Sequence, residues 1–467
     1  MGSVSSGFVG VTQSVRVTAK VIHSPSPPTV LPTMPDDILT LILGMLESTS
    51  DPGLLPELVK ASHISMQWRQ VAVQTGSLWS CIYASPHHSL AMTSAYLSRS
   101  QQSLLRITYR CPYGMFESEN NKDEIMPSWG LFLPQCHRWQ TLTVLSRSNS
   151  SHTDELVKSL VPLSVPHLKL ICIHTDNKER RDNRYDWTVR VPTVHVSSAP
   201  NVFIFSGGTR ALTSWKVRGM TPTLCYPPAS RLKELDMHVK TWQNPISYGD
   251  FCLILSTASD LVRLKLRGRL VDMATVTHLS SPIQLSSLLH LSVEAYFDNA
   301  AHTAHYIHSI FSTISAPHLE SLVFSSDREI PPTHAFLDAI HNGAAFPELH
   351  TLSLENIHST SITPNFLRST PKIHTFSLFT PSNYDKSTFL PLLEGSECLW
   401  PCLTDLSIDA SNSGCIRELV AARINLGHPI RSLHGSKGLV RALSGEDLQW
   451  LRGNIELDIN FEYVNDL

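Results

Sequence analysis

At 467 residues the chain is longer than one compact core accommodates, and its hydrophobic fraction of 42% is that of a globular protein, so at least two structural units are expected. With 37 basic and 40 acidic residues the net charge is -3, which provides no long-range field for nucleic acid or an anionic lipid surface. No apolar run reaches the ~18 residues of a membrane span, and nine cysteines without framework spacing fit reduced thiols in a cytoplasmic or nuclear setting.

Residues 1 to 30, rich in Ser, Val, Thr and Pro, read as a disordered leader, within which Gly2 and Ser6 match the short pattern of N-myristoylation. Three helices are predicted between Leu31 and Trp79. The first opens at Leu31-Pro32, with Thr33 and Asp36 as a capping-box-like pair, Pro35 near the first helical position, and Asp36 and Asp37 in the positive first turn. Ile38, Leu39, Ile42, Leu43 and Leu46 follow at spacings that place all five on one helix face. Leu54, Leu58 and Val59 mark a second helix after the turn at Ser48 to Gly53, and Met66, Trp68, Val71 and Ala72 mark a third. So short a module carries more apolar surface than it can bury, which calls for a partner.

This run resembles an F-box: Leu31-Pro32, Pro35, Ile38-Leu39, Ile42, Leu46, Ile64, Trp68-Arg69, Ala72 and Leu78-Trp79 follow that pattern in order over residues 31 to 80. The turn between the first two helices is longer than usual, and Ser65-Met66-Gln67 replaces the more typical Cys-Lys-x. The resemblance implies that Leu31, Pro32, Pro35, Ile38, Leu39, Ile42, Leu43, Leu46, Leu58 and Trp68 dock into a small Skp-type adaptor. Through the adaptor the chain would join a cullin and its RING ubiquitin ligase.

Downstream, over residues 81 to 467, a pattern of three apolar anchors recurs, clearest at Leu168-Ile171-Ile173, Leu232-Leu235-Met237, Leu261-Leu264-Leu266, Leu288-Leu291-Val293, Leu319-Leu322-Phe324, Leu349-Leu352-Leu354, Ile373-Phe376-Leu378 and Leu403-Leu406-Ile408. Trp139-Leu142-Val144 and Leu212-Trp215-Val217 are weaker copies; Leu104-Ile107-Tyr109, Val202-Phe205 and Ile430-Leu433 are more degenerate still. From Leu232 onward first anchors recur every 24 to 31 residues. Proline two positions before the anchor, at Pro166, Pro200, Pro317, Pro347, Pro371 and Pro401, is expected to stop a preceding helix. His305 to Phe311 and Ala335 to Ile340 suit outer helices. The expected fold class is therefore α/β, three helices followed by a βα solenoid with a parallel sheet on its concave face.

The repeats resemble divergent leucine-rich repeats. The Asn or Cys that this family carries just past the strand is missing where Gly268 follows Leu266 and Ile357 follows Leu354, which puts turn shape in doubt. The pairing of an F-box with such repeats is similar to that in F-box proteins of mushroom-forming fungi.

Strand alternation turns Glu234, Asp236 and His238 outward on one strand and Arg263, Lys265 and Arg267 on the next. In register, Glu234 falls beside Arg263 and Asp236 beside Lys265. Two readings stand: the charges pair across strands, or Arg263, Lys265 and Arg267 contact an acidic or phosphorylated target. Cys398 and Cys402 have no second pair to complete a metal site, Gly207-Gly208 lacks a phosphate-loop pattern, and no nucleophile elbow or H-E-x-x-H occurs, so neither catalysis nor a cofactor is expected. The resemblances imply a non-catalytic substrate receptor of a Skp-cullin-F-box ligase, recruiting an unknown protein through the solenoid. The alternative is a scaffold or regulator that binds the adaptor without delivering a substrate.

Overall fold

The computed structural model describes residues 34–49, 57–111, 127–146, 151–175, 204–219, 230–239, 245–272, 281–295, 300–326, 346–357, 362–379, 393, 398–408, 415–435 and 437–458. Gly2, the leader, Leu31, Pro32, Leu54, Pro200, Val202 and the stretch from Ala335 to Ile340 lie outside them.

Three helices come first: α1 (Asp36–Thr49), α2 (Glu57–Ala61) and α3 (Met66–Gln74), followed by a 3-10 turn at Gly76–Trp79. Asp36 and Asp37 stand in the first turn of α1, as the helix dipole favours. Ser65 caps α3, its hydroxyl accepting from the Trp68 amide at 3.2 Å. Leu39, Leu43, Leu58, Ala61, Val71, Ala72, Leu78 and Trp79 make one small core, with Leu46, Val59 and Trp68 partly buried against it.

The rest of the chain repeatedly returns to a single sheet. In order it forms β1 (Cys81–Ala84), α4 (Leu90–Arg99), β2 (Leu105–Cys111), β3 (Trp139–Ser146), α5 (Ser151–Leu160), β4 (Leu170–Thr175), β5 (Ser214–Arg218), β6 (Glu234–His238) and β7 (Ile246–Ser247). Then come α6 (Tyr248–Thr257), β8 (Arg263–Arg267), β9 (Val271–Asp272), β10 (Ile283–Gln284), β11 (His290–Ala295), α7 (Ala300–Thr313), β12 (Ile314–Ser315), β13 (Ser321–Ser326) and β14 (Thr351–Glu355). The chain ends with α8 (Pro364–Ser369), β15 (Thr375–Phe379), β16 (Asp405–Ile408), α9 (Ile416–Asn425), β17 (Ser432–Gly435), α10 (Lys437–Ala442), α11 (Gly445–Asn454) and β18 (Glu456–Asp458).

Among the described residues fourteen strands form one sheet, in the order β1-β2-β3-β4-β5-β6-β8-β11-β13-β14-β15-β16-β17-β18. Every pairing along it is parallel. Parallel neighbours require a crossover between strands, which the helices and longer connections supply. β7 with β9 and β10 with β12 form two small separate pairs. The architecture is thus α/β with a long parallel sheet, compatible with a βα solenoid.

All eight clear copies of the repeat contain strands, as do both weaker ones and those at Leu104 and Ile430. The copy at Phe205 does not: this buried residue sits in a turn with φ +58°. The sheet begins at Cys81, where Trp79, Ile82 and Ala84 are buried at the anchor spacing, and ends with the short β18. In the eight clear copies all three anchors belong to one continuous core, the first standing two residues before the strand. The amides of Leu168, Leu319, Leu349 and Leu403 donate to the carbonyls of Val165, Ala316, Phe346 and Trp400 at 3.0 to 3.2 Å. Pro166, Pro317, Pro347 and Pro401 therefore occupy the second position of a turn, where their fixed φ is already correct, while Pro371 directly follows the C-cap of α8.

Strand exits show a second recurrence. Gly219, Gly268 and Asn356 stand two residues past the third anchor with φ of +74°, +80° and +56°, and donate to the carbonyls of His238, Glu294 and Phe379 on the next strand at 2.6 to 2.7 Å. A Cβ at Gly219 would lie 2.1 Å from the Thr175 carbonyl oxygen, so that position requires glycine. Asn356 corrects the expectation that no Asn stands past a strand: its side-chain amide donates to the Ser326 carbonyl at 2.9 Å, satisfying a backbone group of the preceding repeat.

Candidate functional site

Two surfaces carry the residues singled out in the sequence. The first is α1. Its expected single face is divided in the structure. Leu39 and Leu43 are fully buried in the module's own core, Leu58 is buried with them, and Leu46 and Trp68 pack against that core. Ile38 points outward and is 45% exposed, with Ile42 intermediate. Pro35, exposed, stands just before the helix, its carbonyl accepting from the amides of Ile38 and Leu39. The outward stripe also holds Leu41 and Met45, 65% and 62% exposed, which the sequence reading missed. The helical period counted from Ile38 gives 41, 42 and 45, so the signal was present but masked by a helix apolar on nearly every side. Gln67 donates to the Met34 carbonyl at 2.7 Å and to Asp36 Oδ1 at 3.0 Å, drawing the start of α3 to the start of α1. Exposed Met34, Ile64 and Met66 therefore cluster near that end.

The module is spliced to the sheet through Trp79. Its indole donates to the Ala72 carbonyl at 2.6 Å, its ring meets Tyr96 of α4 edge to face at 5.0 Å, and the Arg99 guanidinium lies 4.5 Å from the ring centre. Tyr96 packs against both cores.

The second surface is the side of the sheet away from the core. The register is the one expected: Glu234 lies beside Arg263, Asp236 beside Lys265 and His238 beside Arg267. The ion pairs do not follow it. Asp236, nearly fully buried, accepts from Arg218 Nη2 on β5 at 2.7 Å, so its closest cation is on the other side from Lys265. Its Oδ1 is buried and takes no hydrogen bond among the described residues. Glu234 binds Lys216 at 2.9 Å and Ser214 at 2.7 Å, with Arg263 farther off at 3.9 Å, and Arg267 meets Glu294 of β11 at 2.9 Å. Lys216 and Arg218 were missed because the β5 copy is degenerate, although the same alternation turns both outward.

The local field is crowded. Burial alone would raise the Glu234 carboxyl, yet Ser214, Lys216 and Arg263 together hold it below the usual carboxylate range. Burial and then Arg267 push the Lys265 amine below its ordinary value, against the pull of Glu294 and Asp236. Three strands farther on, burial raises the Glu355 carboxyl, and Glu294 adds to the effect. Beyond β11 the face becomes hydroxyl-rich, with Ser321, Val323, Thr351, Ser353, Thr375 and Ser377 in register, and carries Glu355 on β14 and Asp405 on β16. No helix among the described residues is long and apolar enough to cross a membrane. No protein-family model matches the chain, and no curated protein is significantly similar to it.

Proposed function

We propose that this chain is an F-box protein with divergent leucine-rich repeats, acting as a non-catalytic substrate receptor of a Skp-cullin-F-box ubiquitin ligase. The outward stripe of α1 contacts the adaptor, and the open face of the sheet holds the target. One observation carries the reading: α1 is apolar on both sides, and among the described residues its own module covers the side of Leu39 and Leu43. A helix of that composition is normally buried all round, so Ile38, Leu41 and Met45 are fitted to a second protein. The ordered F-box-like residues from Pro35 to Trp79 favour a Skp-type adaptor as that protein. The mechanism is proximity: holding ligase and target together raises the effective concentration of target lysines near the ubiquitin-charged enzyme.

Coexpression of the full chain with a Skp-type adaptor tests this. Leu41→Asp with Met45→Asp removes adaptor copurification while the thermal transition of the sheet stays in place, because both side chains lie outside the core. Undiminished copurification by that variant would refute the assignment of the stripe.

A further inference from the structure

The thiols of Cys398 and Cys402 border the buried guanidinium of Arg423 on α9. Its Nη1 donates to Cys398 Sγ at 3.6 Å, and Cys402 lies near enough to act on the same charge. Its remaining hydrogen bonds among the described residues go to the carbonyls of Leu399, Trp400, Leu403 and His428. A buried cation favours a counter-anion, and carbonyl dipoles supply only part of that charge. Burial lowers the Arg423 guanidinium from its ordinary value, and Cys398 and then Cys402 act against that. Between the two cysteines the chain folds back: Trp400 stands at φ +52°, and the Leu403 amide donates to its carbonyl at 3.0 Å. Both thiols are partly exposed, so a small solute reaches them. Cys111, by contrast, is buried, which pushes its thiol up to about 12.

We propose that Cys398 and Cys402 form a peroxide-reactive pair, with Cys398 as the attacking sulfur and Cys402 as the sulfur that converts the product into a disulfide. A cation in hydrogen-bond contact with a sulfur promotes its attack, because the anionic form is the nucleophile. Cys398 Sγ attacks one oxygen of hydrogen peroxide: an S–O bond forms, the O–O bond breaks, and the leaving hydroxide takes the thiol proton as water. Cys402 Sγ, across the turn, then attacks Cys398 Sγ of the sulfenic acid; the S–O bond breaks, and the departing hydroxide takes the Cys402 proton as a second water. The two sulfurs are oxidised by two electrons in all, and one peroxide is reduced to two waters. The pair lies toward the β18 end of the sheet, away from the helical head, and is independent of the adaptor and target readings.

The test treats the full reduced chain with limiting hydrogen peroxide, then alkylates the remaining thiols and quantifies them site by site. Cys398 and Cys402 are lost together, roughly tenfold faster than Cys136 and Cys252, which are also partly exposed. Fragment spectra place a disulfide between the two, and dithiothreitol restores both thiols. Cys402→Ser leaves the sulfenic acid in place, so dimedone labels Cys398, whereas Cys398→Ser slows Cys402 to the rate of Cys136 and Cys252. Unfolding the wild type in urea separates the sulfurs from the guanidinium and equalises the rates. Equal rates in the folded chain, a disulfide from Cys398 to any other cysteine, or a preference that persists in urea each overturns the proposal. These three arms use the wild type alone, so they stand whether or not the variants fold.

Discussion

Arg423 is fully buried on α9, yet no carboxylate is among its hydrogen-bond partners in the described residues; its guanidinium donates to the backbone carbonyls of Leu399, Trp400, Leu403 and His428. A planar fork of donors can gather carbonyls around the turn before β16 that no helix or sheet ladder reaches. Arg138, also buried, does the same near the other end, donating to the Ser103 carbonyl, the Ser100 hydroxyl and the Gln135 side chain. Leaving a buried carbonyl without a donor costs ~1–3 kcal/mol. Arg423→Met fills similar volume without donors, and is expected to destabilise the last repeats by ~3 kcal/mol or more. Hydrogen exchange reads this as faster amide exchange in α9 and β17, with β4 and β5 unaffected; unchanged protection of α9 would show that those carbonyls have other partners.

At the scale of the element, α1 makes opposite demands on neighbouring residues. Leu43→Ala should cost the helical module ~2–5 kcal/mol by opening a cavity. Leu41→Ala should leave its stability within ~0.5 kcal/mol, because that side chain already faces water. Chemical denaturation of the two variants checks the pair, and equal losses would contradict the division of the helix. This division also marks how far the sequence could be read. Ile38, Leu39, Ile42 and Leu43 announce an amphipathic helix, but when apolar residues occupy nearly the whole circumference, periodicity cannot say which stripe faces the module's own core. Strands were easier. Anchors such as Leu291 and Val293 alternate with His290, Ser292 and Glu294, and period two fixes inward and outward without knowledge of neighbours. The turns were legible only as prolines, since the bond from Leu319 to Ala316 depends on backbone path. The charge network was half legible: register brings Asp236 beside Lys265, but the pairing with Arg218 is decided by side-chain reach. Reversing the charges of β6 and β8 alone would therefore set the reversed β6 against Lys216 and Arg218, so a clean exchange must include β5.

For the molecule as a whole, one core cluster runs from Ile82 to Ile455, so each repeat is buried by its neighbours. Leu352→Asp places a carboxylate in the fully buried row between Leu322 and Phe376 and should expose more than its own repeat. Limited proteolysis should then cut in the connections on both sides of β14, and protection of the flanking repeats would argue for independently stable units. The Trp79 splice has a further consequence. With Tyr96 packed against both the module and the sheet, the helical head is fastened at that junction, and the sheet becomes a ruler anchored at one end. Parallel strands advance about 4.8 Å each, so β8, seventh in the sheet, stands about 29 Å along it from β1. A guest gripped one strand earlier or later would be displaced by that single increment relative to whatever the head holds. Reach is thereby quantised by strand number, and an inserted or deleted repeat between β1 and β8 would shift which part of the guest comes within range while leaving the grip itself intact.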